Sequence, residues 1–472
     1  MKVHGYSDVL IGLQYGDEGK ARVVDLMAKD YDIIARFNGG ANAGHTIVYN
    51  RIKIALHQVP SGVFYEDKLL YIGSGCVVDI VRLSKEIEEV ESHGLILKGR
   101  LKISSQCSLI QPHHIMIDSL TGGKIGTTNR GIGPCYADKA RRMVGDRIVN
   151  IRIGDLHHEP AQYFQAIQDN FVAESRIWCQ QSNGNVAEEM TAIKLAFEKI
   201  KDYVEVDTLW MEKQVYNGKK VLFEGAQSAM LDITKGAIPY VTSSSTIASA
   251  AYVGGDLSVK YHRKVIGVAK ALMSRVGNGP FTSELGGAES EKYASESNPD
   301  GTTKNSFTLE KSFDVDTLIK SESNFEIGTA LRILSYEYGS TTGRPRRVGT
   351  LDLVQLKYAA RMNGVDEIVL TKMDVLKEFS RTKKGEIPMV VKYSLNNREI
   401  DFIPASASSY YRTTGTIMNY DCFDQDIQEV KDFEKLPIEC QKIVKFIEEY
   451  TECKIVGLGV GPEREQYVEI KG

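Results

Sequence analysis

Gly16-Asp17-Glu18-Gly19-Lys20 follows closely on the apolar run Val9-Leu10-Ile11. A buried strand that ends in a glycine-rich turn and then enters a helix aims several backbone N–H groups at one spot. Those groups and the helix dipole both favour negative charge, so the spot attracts phosphate. Lys20 adds a mobile positive charge. Asp17 is the unusual member, because a carboxylate in a phosphate cradle is repulsive unless a metal ion or a proton transfer uses it. The run departs from the GxxxxGK[ST] phosphate loop: six residues separate Gly12 from Gly19, and Ala21 follows the lysine. The expected chemistry is that of a nucleotide enzyme with a metal ligand or a base built into its phosphate site.

Asn38-Gly39-Gly40-Ala41-Asn42-Ala43-Gly44-His45-Thr46 also follows a strand-like run. Its glycines let backbone approach a ligand closely. Asn42 offers an amide to a polar edge, and His45 suits protonation of, or donation to, an oxygen that gains charge. A tight turn with a surface histidine is the simpler alternative. Gly126-Thr127-Thr128-Asn129-Arg130-Gly131-Ile132-Gly133-Pro134 is a third glycine-rich loop. Its hydroxyls and arginine suit phosphate oxygens, although a plain turn explains it as well in isolation. Phe223-Glu224-Gly225-Ala226-Gln227 ends a strand in polar side chains, and Val241-Thr242-Ser243-Ser244-Ser245 offers further hydroxyls.

Thr341-Thr342-Gly343-Arg344-Pro345-Arg346-Arg347 sets arginines beside threonines. Gly and Thr break the helix that would display a solvated patch, and a flexible Arg-rich loop suits carboxylate or phosphate capture. Thr371-Lys372-Met373-Asp374 follows the apolar run 368–370. A carboxylate there accepts from N1–H and the exocyclic amine of guanine, while the lysine stem lies on the base. With an upstream phosphate loop this favours GTP over ATP. His113-His114 and His157-His158 lack the spacing of a metal site, and both pairs read as ordinary polar residues.

Short apolar runs at 9–12, 33–37, 221–223, 265–269, 368–371 and 455–458 read as the buried strands that would position these motifs. Several end in Gly, Asn, Glu or Asp, as expected where strand ends line a crevice. Residues 155–201 are mostly helical, and 437–452 puts Ile443, Val444, Ile447 and Tyr450 on one helical face. The charged stretch 284–304 reads as a mobile surface loop. The expected fold class is α/β: a large, mostly parallel central sheet flanked by helices, with a P-loop-NTPase-like phosphate site and insertions. Residues 1–472 are read as a single domain.

The composition, 42% hydrophobic and 25% charged, is that of an ordinary globular protein. A net charge of −4 gives no bulk attraction to nucleic acid or to an anionic membrane. The apolar runs are far shorter than the roughly 20 residues of a membrane span. Seven cysteines without a CxxC pair fit reduced thiols in a cytoplasm. Met1-Lys2-Val3-His4-Gly5 does not read as a signal peptide, since strand-like sequence starts almost at once. The expectation is a cytoplasmic protein with neither nucleic-acid nor membrane partners.

In this order, the blocks QYGDEGK, GGANAGHT, LHQVPSG, GTTNRGIGP, FEGAQ, YVTSS, STTGRPRR and LTKMDVL resemble adenylosuccinate synthetase over almost the whole chain. The resemblance implies a homodimeric ligase that joins L-aspartate to IMP through 6-phosphoryl-IMP, using GTP and one Mg2+ per subunit. It implies that Asp17 removes the N1 proton of IMP and, with the Gly44 carbonyl, binds magnesium. His45 would act as the acid at the 6-oxygen, with Lys20 and Gln227 as further catalytic residues. The implied GTP site comprises Gly16, Asp17, Glu18, Gly19, Lys20, Ala21, Arg22, Gly44, His45, Thr46 and Arg346, with Lys372, Met373 and Asp374 reading guanine and Gly459, Val460 and Gly461 closing over it. Asn42, Thr128, Gln227, Thr242 and Arg344 would surround IMP, with Arg142 reaching across from the neighbouring subunit. Ser340, Thr341, Thr342, Gly343, Arg344 and Arg346 would bind the aspartate carboxylates.

These residue types suit that chemistry. The 6-oxo group of hypoxanthine is amide-like and leaves poorly. Removing the N1 proton makes O6 nucleophilic toward the γ-phosphate, and the resulting phosphate leaves when the aspartate amine attacks. The chain also departs from the family pattern. GDEGKGK reads GDEGKAR, so Ala21 stands where a glycine is usual, which is harmless at negative φ and strained at positive φ. Arg22 keeps charge but not shape, Asn129 replaces a glycine, Pro345 a basic residue, Thr350 a tryptophan and Gly459 a serine. Residues 143–150 read as an insertion, and 406–428 match poorly. Two alternatives follow: the same ligase chemistry on another purine monophosphate such as (d)GMP, or a catalytically silent nucleotide-binding regulator. Either Arg141 or Arg142 could cross the subunit interface.

Overall fold

The computed structural model describes residues 4–49, 52–124, 127–179, 185–297, 304–339 and 343–470. The chain divides into two compact units: residues 1–10, 20–227 and 242–264 form one, and residues 11–19, 228–241 and 265–472 the other. Both are α/β; strand pairing is mostly parallel in the first unit and mixed in the second.

In the first unit, Val204–Glu205, Leu101–Ser104, Leu69–Ile72, Ile33–Arg36 and Val221–Ser228 lie side by side in that order, all parallel. Ile33–Arg36 is buried throughout, as a strand covered on both faces must be. Ile80–Ser92 turns Leu83, Ile87 and Val90 inward, and Asp79 caps it by accepting from the Arg82 N–H at 3.0 Å. The helical expectation over 155–201 resolves into Ile153–His158, Pro160–Trp178 and Val186–Ile200. The loop read at 126–134 becomes helical partway, because Gly131 (φ 72°) acts as N-cap of Ile132–Arg141. The apparent insertion at 143–150 is a short antiparallel hairpin, Met143–Val144 with Arg147–Ile148.

In the second unit, His262–Lys270, Glu367–Thr371 and Lys454–Gly459 pair in parallel, and Tyr467–Glu469 closes the edge antiparallel. Leu13 extends this pairing by donating to the Val268 carbonyl at 3.0 Å. Ile438–Thr451 buries Ile443, Val444 and Ile447 of the expected face, leaves Tyr450 half-buried and adds Cys440. The poorly matching 406–428 region supplies Thr414–Asp421, which pairs antiparallel with Glu386–Leu395 in a separate small sheet.

The expectation of a mobile loop over 284–304 is corrected. Gly287–Ser295 is a helix with Ser290 and Ala294 buried, and residues 298–303 lie outside the described residues. Two of the charges that suggested solvent, Glu284 and Glu291, face inward, while Glu289 and Lys292 are exposed. The Glu284 carboxylate accepts from Arg347 Nε at 2.8 Å, and Glu291 accepts from the Gly279 N–H at 2.8 Å.

Candidate active site

The phosphate loop belongs to the second unit. Gly16 (φ 95°), Asp17 (φ 58°) and Gly19 (φ 88°) all take the left-handed conformation. For Asp17 this is uncommon, and such backbone clusters where a side chain must be aimed. The loop is held from beneath by Glu18, which is fully buried. Its Oε1 accepts from the Gln14 N–H at 3.2 Å, the Gly16 N–H at 2.9 Å and the Ser228 hydroxyl at 2.5 Å. Gly12 makes room for this: a Cβ there would lie 2.1 Å from Ser228 Oγ and 2.4 Å from Glu18 Oε2. Glu18 therefore braces the loop, and its carboxylate faces the protein.

Asp17 points the other way. Its side chain is 38% exposed and its Oδ2 meets Nη2 of Arg346 at 2.9 Å. The same guanidinium gives Nη1 to Oε2 of Glu337, also at 2.9 Å. Glu337 is buried, and it also accepts from Lys270 at 3.1 Å and Ser274 at 2.7 Å, with Lys372 at 3.6 Å from its other oxygen. Burial alone would raise the Glu337 carboxyl, but Lys270, Arg346 and Lys372 outweigh it and hold that group well below the usual carboxylate range. Lys372 (φ 61°) follows Glu367–Thr371 and donates to the Ser335 carbonyl at 2.6 Å. Met373 is fully buried beneath it, its N–H donating to the Gly459 carbonyl at 3.1 Å, which ties the Lys372–Asp374 turn to Gly459, Val460 and Gly461.

The arginines of 344–347 do not form one capture surface. Arg344 donates from Nε to the Ala294 carbonyl at 2.7 Å, Arg346 takes the acidic pair just described, and Arg347 is buried against Glu284. Only Arg346 stands beside the phosphate loop. Ser340, Thr341 and Thr342 lie outside the described residues; Gly343 is left-handed at φ 62°.

The first unit carries the histidine motif. Asn38 fastens its glycine motif to the end of Val221–Ser228, accepting from the Ala226 N–H at 2.9 Å and donating to the Ala226 carbonyl at 3.1 Å. Asn42 accepts from the Gly40 N–H at 3.1 Å. Gly39 (φ 74°) sits where these parts meet: a Cβ there would be 3.0 Å from Gln227 Oε1 and 3.5 Å from Asn42 Oδ1. Two predicted site residues thus converge on one backbone position, and Gln227 reaches it through a left-handed φ of 56°. Thr242 is half-buried in the same unit, and Thr128 is exposed in the turn before Gly131.

His45 opens the strand His45–Tyr49 and is buried. Its Nδ1 contacts Glu224, whose carboxylate also accepts from the Ser61 hydroxyl at 2.5 Å and the Ser61 N–H at 2.8 Å. Burial raises the Glu224 carboxyl, but His45, Arg36 and Ser61 bring it down to about 2. Burial pushes His45 below its usual value despite Glu224, and Arg36 and Lys20 add to the effect. Sequence reasoning gave Glu224 no role. The signal was present, since a charged residue inside a buried strand requires a partner, but the partner lies far away in the chain.

Lys20 and Ala21 begin the helix Lys20–Met27, where Lys20 is buried and Arg22 half-buried. Ala21 has a helical, negative φ, so its methyl group is unstrained. Alanine here is a better helix former than glycine. Ala21→Gly is expected to lower stability by about 0.5–1 kcal/mol with kcat within twofold of wild type, as read by denaturant unfolding and steady-state kinetics. A rise in stability would mean that the position is strained.

His113 and His114, read as ordinary polar residues, lie in the interior. Both are buried and give Nε2 to Asp138 at 3.1 Å. His114 Nδ1 accepts from the Gln111 N–H at 3.0 Å, so Nε2 carries the proton and has no lone pair for a metal. Burial pushes His114 down to about 4, and the neutral ring braces Pro112–Thr121 against Ile132–Arg141. Asp138 also takes Arg141 at 2.9 Å. Arg142 follows at φ 66°, exposed and without an ion pair among the described residues.

A family model described as adenylosuccinate synthetase matches residues 9–468. The chain belongs to the adenylosuccinate synthetase family. These ligases join L-aspartate to IMP with GTP and Mg2+ in AMP biosynthesis, and the homodimer is typical of them. Adenylosuccinate synthetase 2 of Cupriavidus pinatubonensis is 43% identical, covering 98% of this chain and 97% of its own. The Aquifex aeolicus adenylosuccinate synthetase is 39% identical over the same shares. The fully ligated Plasmodium falciparum adenylosuccinate synthetase superposes with a TM-score of 0.83 at 33% identity, covering 99% of this chain and 100% of its own. The succinoaminodeoxyadenylate synthetase of cyanophage S-2L, bound to dGMP, shares only the fold, at 17% identity and a TM-score of 0.58 over 99% and 95% of the two chains. The dGMP alternative is not favoured beside relatives at 37–43% identity. No helix among the described residues is long and apolar enough to cross a membrane.

Proposed function

We propose that Asp17 is the base that takes the N1 proton of IMP and that His45 stabilises the 6-oxygen as it attacks the γ-phosphate of GTP. The observation that carries this reading is the accessible Asp17 carboxylate, raised on a left-handed residue above a loop braced by Glu18. Lys20, Gly16, Gly19, Ala21, Arg22, Thr46 and Arg346 hold the phosphates in this reading, and Lys372, Met373 and Asp374 with Gly459, Val460 and Gly461 hold guanine. The convergence of Asn42 and Gln227 at Gly39 supports an IMP site there, shared with Thr128, Thr242 and Arg344. The aspartate carboxylates bind the loop from Ser340 to Arg346.

Asp17 Oδ1 has no hydrogen bond among the described residues, and Gly44 is exposed. A carboxylate and a carbonyl are hard oxygen donors that fit Mg2+ beside phosphate oxygens and water. When bound, Mg2+ neutralises charge on the phosphoryl oxygens. Arg142, rather than Arg141, reaches the neighbouring subunit, because Arg141 is tied to Asp138 in its own chain. The chain passes between the two units within Ser7–Gly12, and the family model spans both, which supports treating 1–472 as one catalytic domain. The protein acts in the cytoplasm, in keeping with its unpaired cysteines.

The test is to supply IMP, GTP, Mg2+ and L-aspartate and follow adenylosuccinate by absorbance and mass. Turnover with IMP and none with GMP or dGMP is expected. Folded protein that binds nucleotide without forming product would overturn the reading.

A further inference from the structure

We propose that Glu337 is a positioning residue of this reaction: it anchors Arg346 so that the guanidinium covers Asp17 in the resting enzyme and passes to the nucleotide phosphates when Asp17 must act. The inference rests on the roles given above to Asp17 and Arg346.

Arg346 is bidentate across two carboxylates of unequal character. Nη2 meets Asp17, which is 38% exposed; Nη1 meets Glu337, which is 1% exposed. Nε is buried with no hydrogen-bond partner among the described residues. One edge of the guanidinium thus has a donor to spare. The Glu337 end is the fixed one. Glu337 is also held by Lys270 and Ser274, and its main chain accepts from the Arg346 N–H at 3.0 Å. The Asp17 end is the open one. Turning about the Nη1–Glu337 contact moves Nη2 off Asp17 without releasing Arg346.

The two states differ in what Asp17 can do. While Arg346 occupies Oδ2, the carboxylate is partly neutralised and is a weaker base, and Oδ1 alone stays open. A nucleotide polyphosphate is a stronger bidentate partner for arginine than a half-exposed carboxylate. Its arrival draws Nη2 away and frees Asp17. Glu337 also faces Lys372 with its second oxygen, at 3.6 Å. One buried carboxylate therefore aligns the side chain at the base of the nucleotide and the side chain at its phosphates.

The test compares Glu337→Gln with wild type in full steady-state kinetics and GTP titration calorimetry. Loss of a charge-assisted bond to Arg346 should lower kcat and GTP affinity by about 10–100-fold, with KM for IMP unchanged. In an Arg346→Leu background, Glu337→Gln should lower kcat no further. Glu337→Asp, which keeps the charge but retracts it, should recover part of kcat; it also serves if leaving buried Lys270 without its counter-ion unfolds the Gln variant. A purely structural role would lower the melting temperature and leave the ratio of kcat to KM for IMP unmoved. The proposal is overturned by kcat within twofold of wild type in both variants, or by additive losses with Arg346→Leu. Wild type that forms no adenylosuccinate defeats the underlying reading instead, and GTP affinity in the two Glu337 variants then decides the anchoring alone.

Discussion

Asp17→Asn should lower kcat by about 10²–10⁴-fold, the range of a positioned general base, with GTP affinity within a few-fold of wild type. Asparagine is the replacement that isolates the chemistry. It matches aspartate in shape and tolerates the φ of 58° that this position requires. Glu18, not Asp17, supports the loop, so the phosphate-binding N–H groups stay in place. Losing the anion releases Arg346 from one partner while Glu337 keeps it nearby, so affinity for a polyphosphate is not expected to fall. Steady-state kinetics and titration calorimetry read the two quantities separately. A variant retaining more than about a tenth of wild-type kcat would remove Asp17 from the role of base.

His45→Asn is expected to cost a similar factor, about 10²–10⁴-fold in kcat, and Glu224→Gln about 10–100-fold. Glu224 has no substrate to touch in this reading; it orients the imidazole through Nδ1 and is itself fixed by Ser61. The double variant should therefore be no slower than His45→Asn alone, because residues acting as a unit do not add. Losses that multiply would show that Glu224 acts independently.

The same geometry sets a pH dependence. With Nδ1–H directed at Glu224, His45 can donate from Nε2 only as the imidazolium. Burial pushes its pKa below the usual value, helped by Arg36 and Lys20, so the neutral ring is favoured in the free enzyme and protonation requires lower pH. Bound phosphates oppose that shift. The basic limb of kcat, which reports the enzyme–substrate complex, should thus lie at higher pH than that of kcat/KM, which reports the free enzyme. Coincident limbs would count against His45 as the donor. The sign for stability is opposite to that for activity. The depressed group favours folding above the unfolded histidine value, and that contribution is lost as pH falls below it.

The phosphate loop was legible because its determinants are local. Gly16 and Gly19 supply left-handed backbone, Val9, Leu10 and Ile11 supply the strand, and Lys20 opens the helix, all within one short stretch. The strands at 33–37 and 368–371 were legible for a related reason: burial on both faces leaves an apolar run that needs no partner to be read. Charged residues were harder. Their sequence suggests solvent, and the stretch 284–304 was misread on that ground, because Glu284 and Glu291 find Arg347 and Gly279 only after folding. Ala21 shows the converse. Its identity raised a doubt that only φ could remove.

Residue types and order along the chain determined the family and the reaction. What they left undetermined was pairing: His45 with Glu224 and Ser61, Asp17 with Arg346, Arg346 with Glu337, and the two buried histidines with Asp138. A turn or a strand is fixed by interactions among neighbours in sequence, so its residues carry the signal themselves. An ion pair between distant segments depends on the path of everything between them, and only the folded chain chooses which buried charge meets which partner.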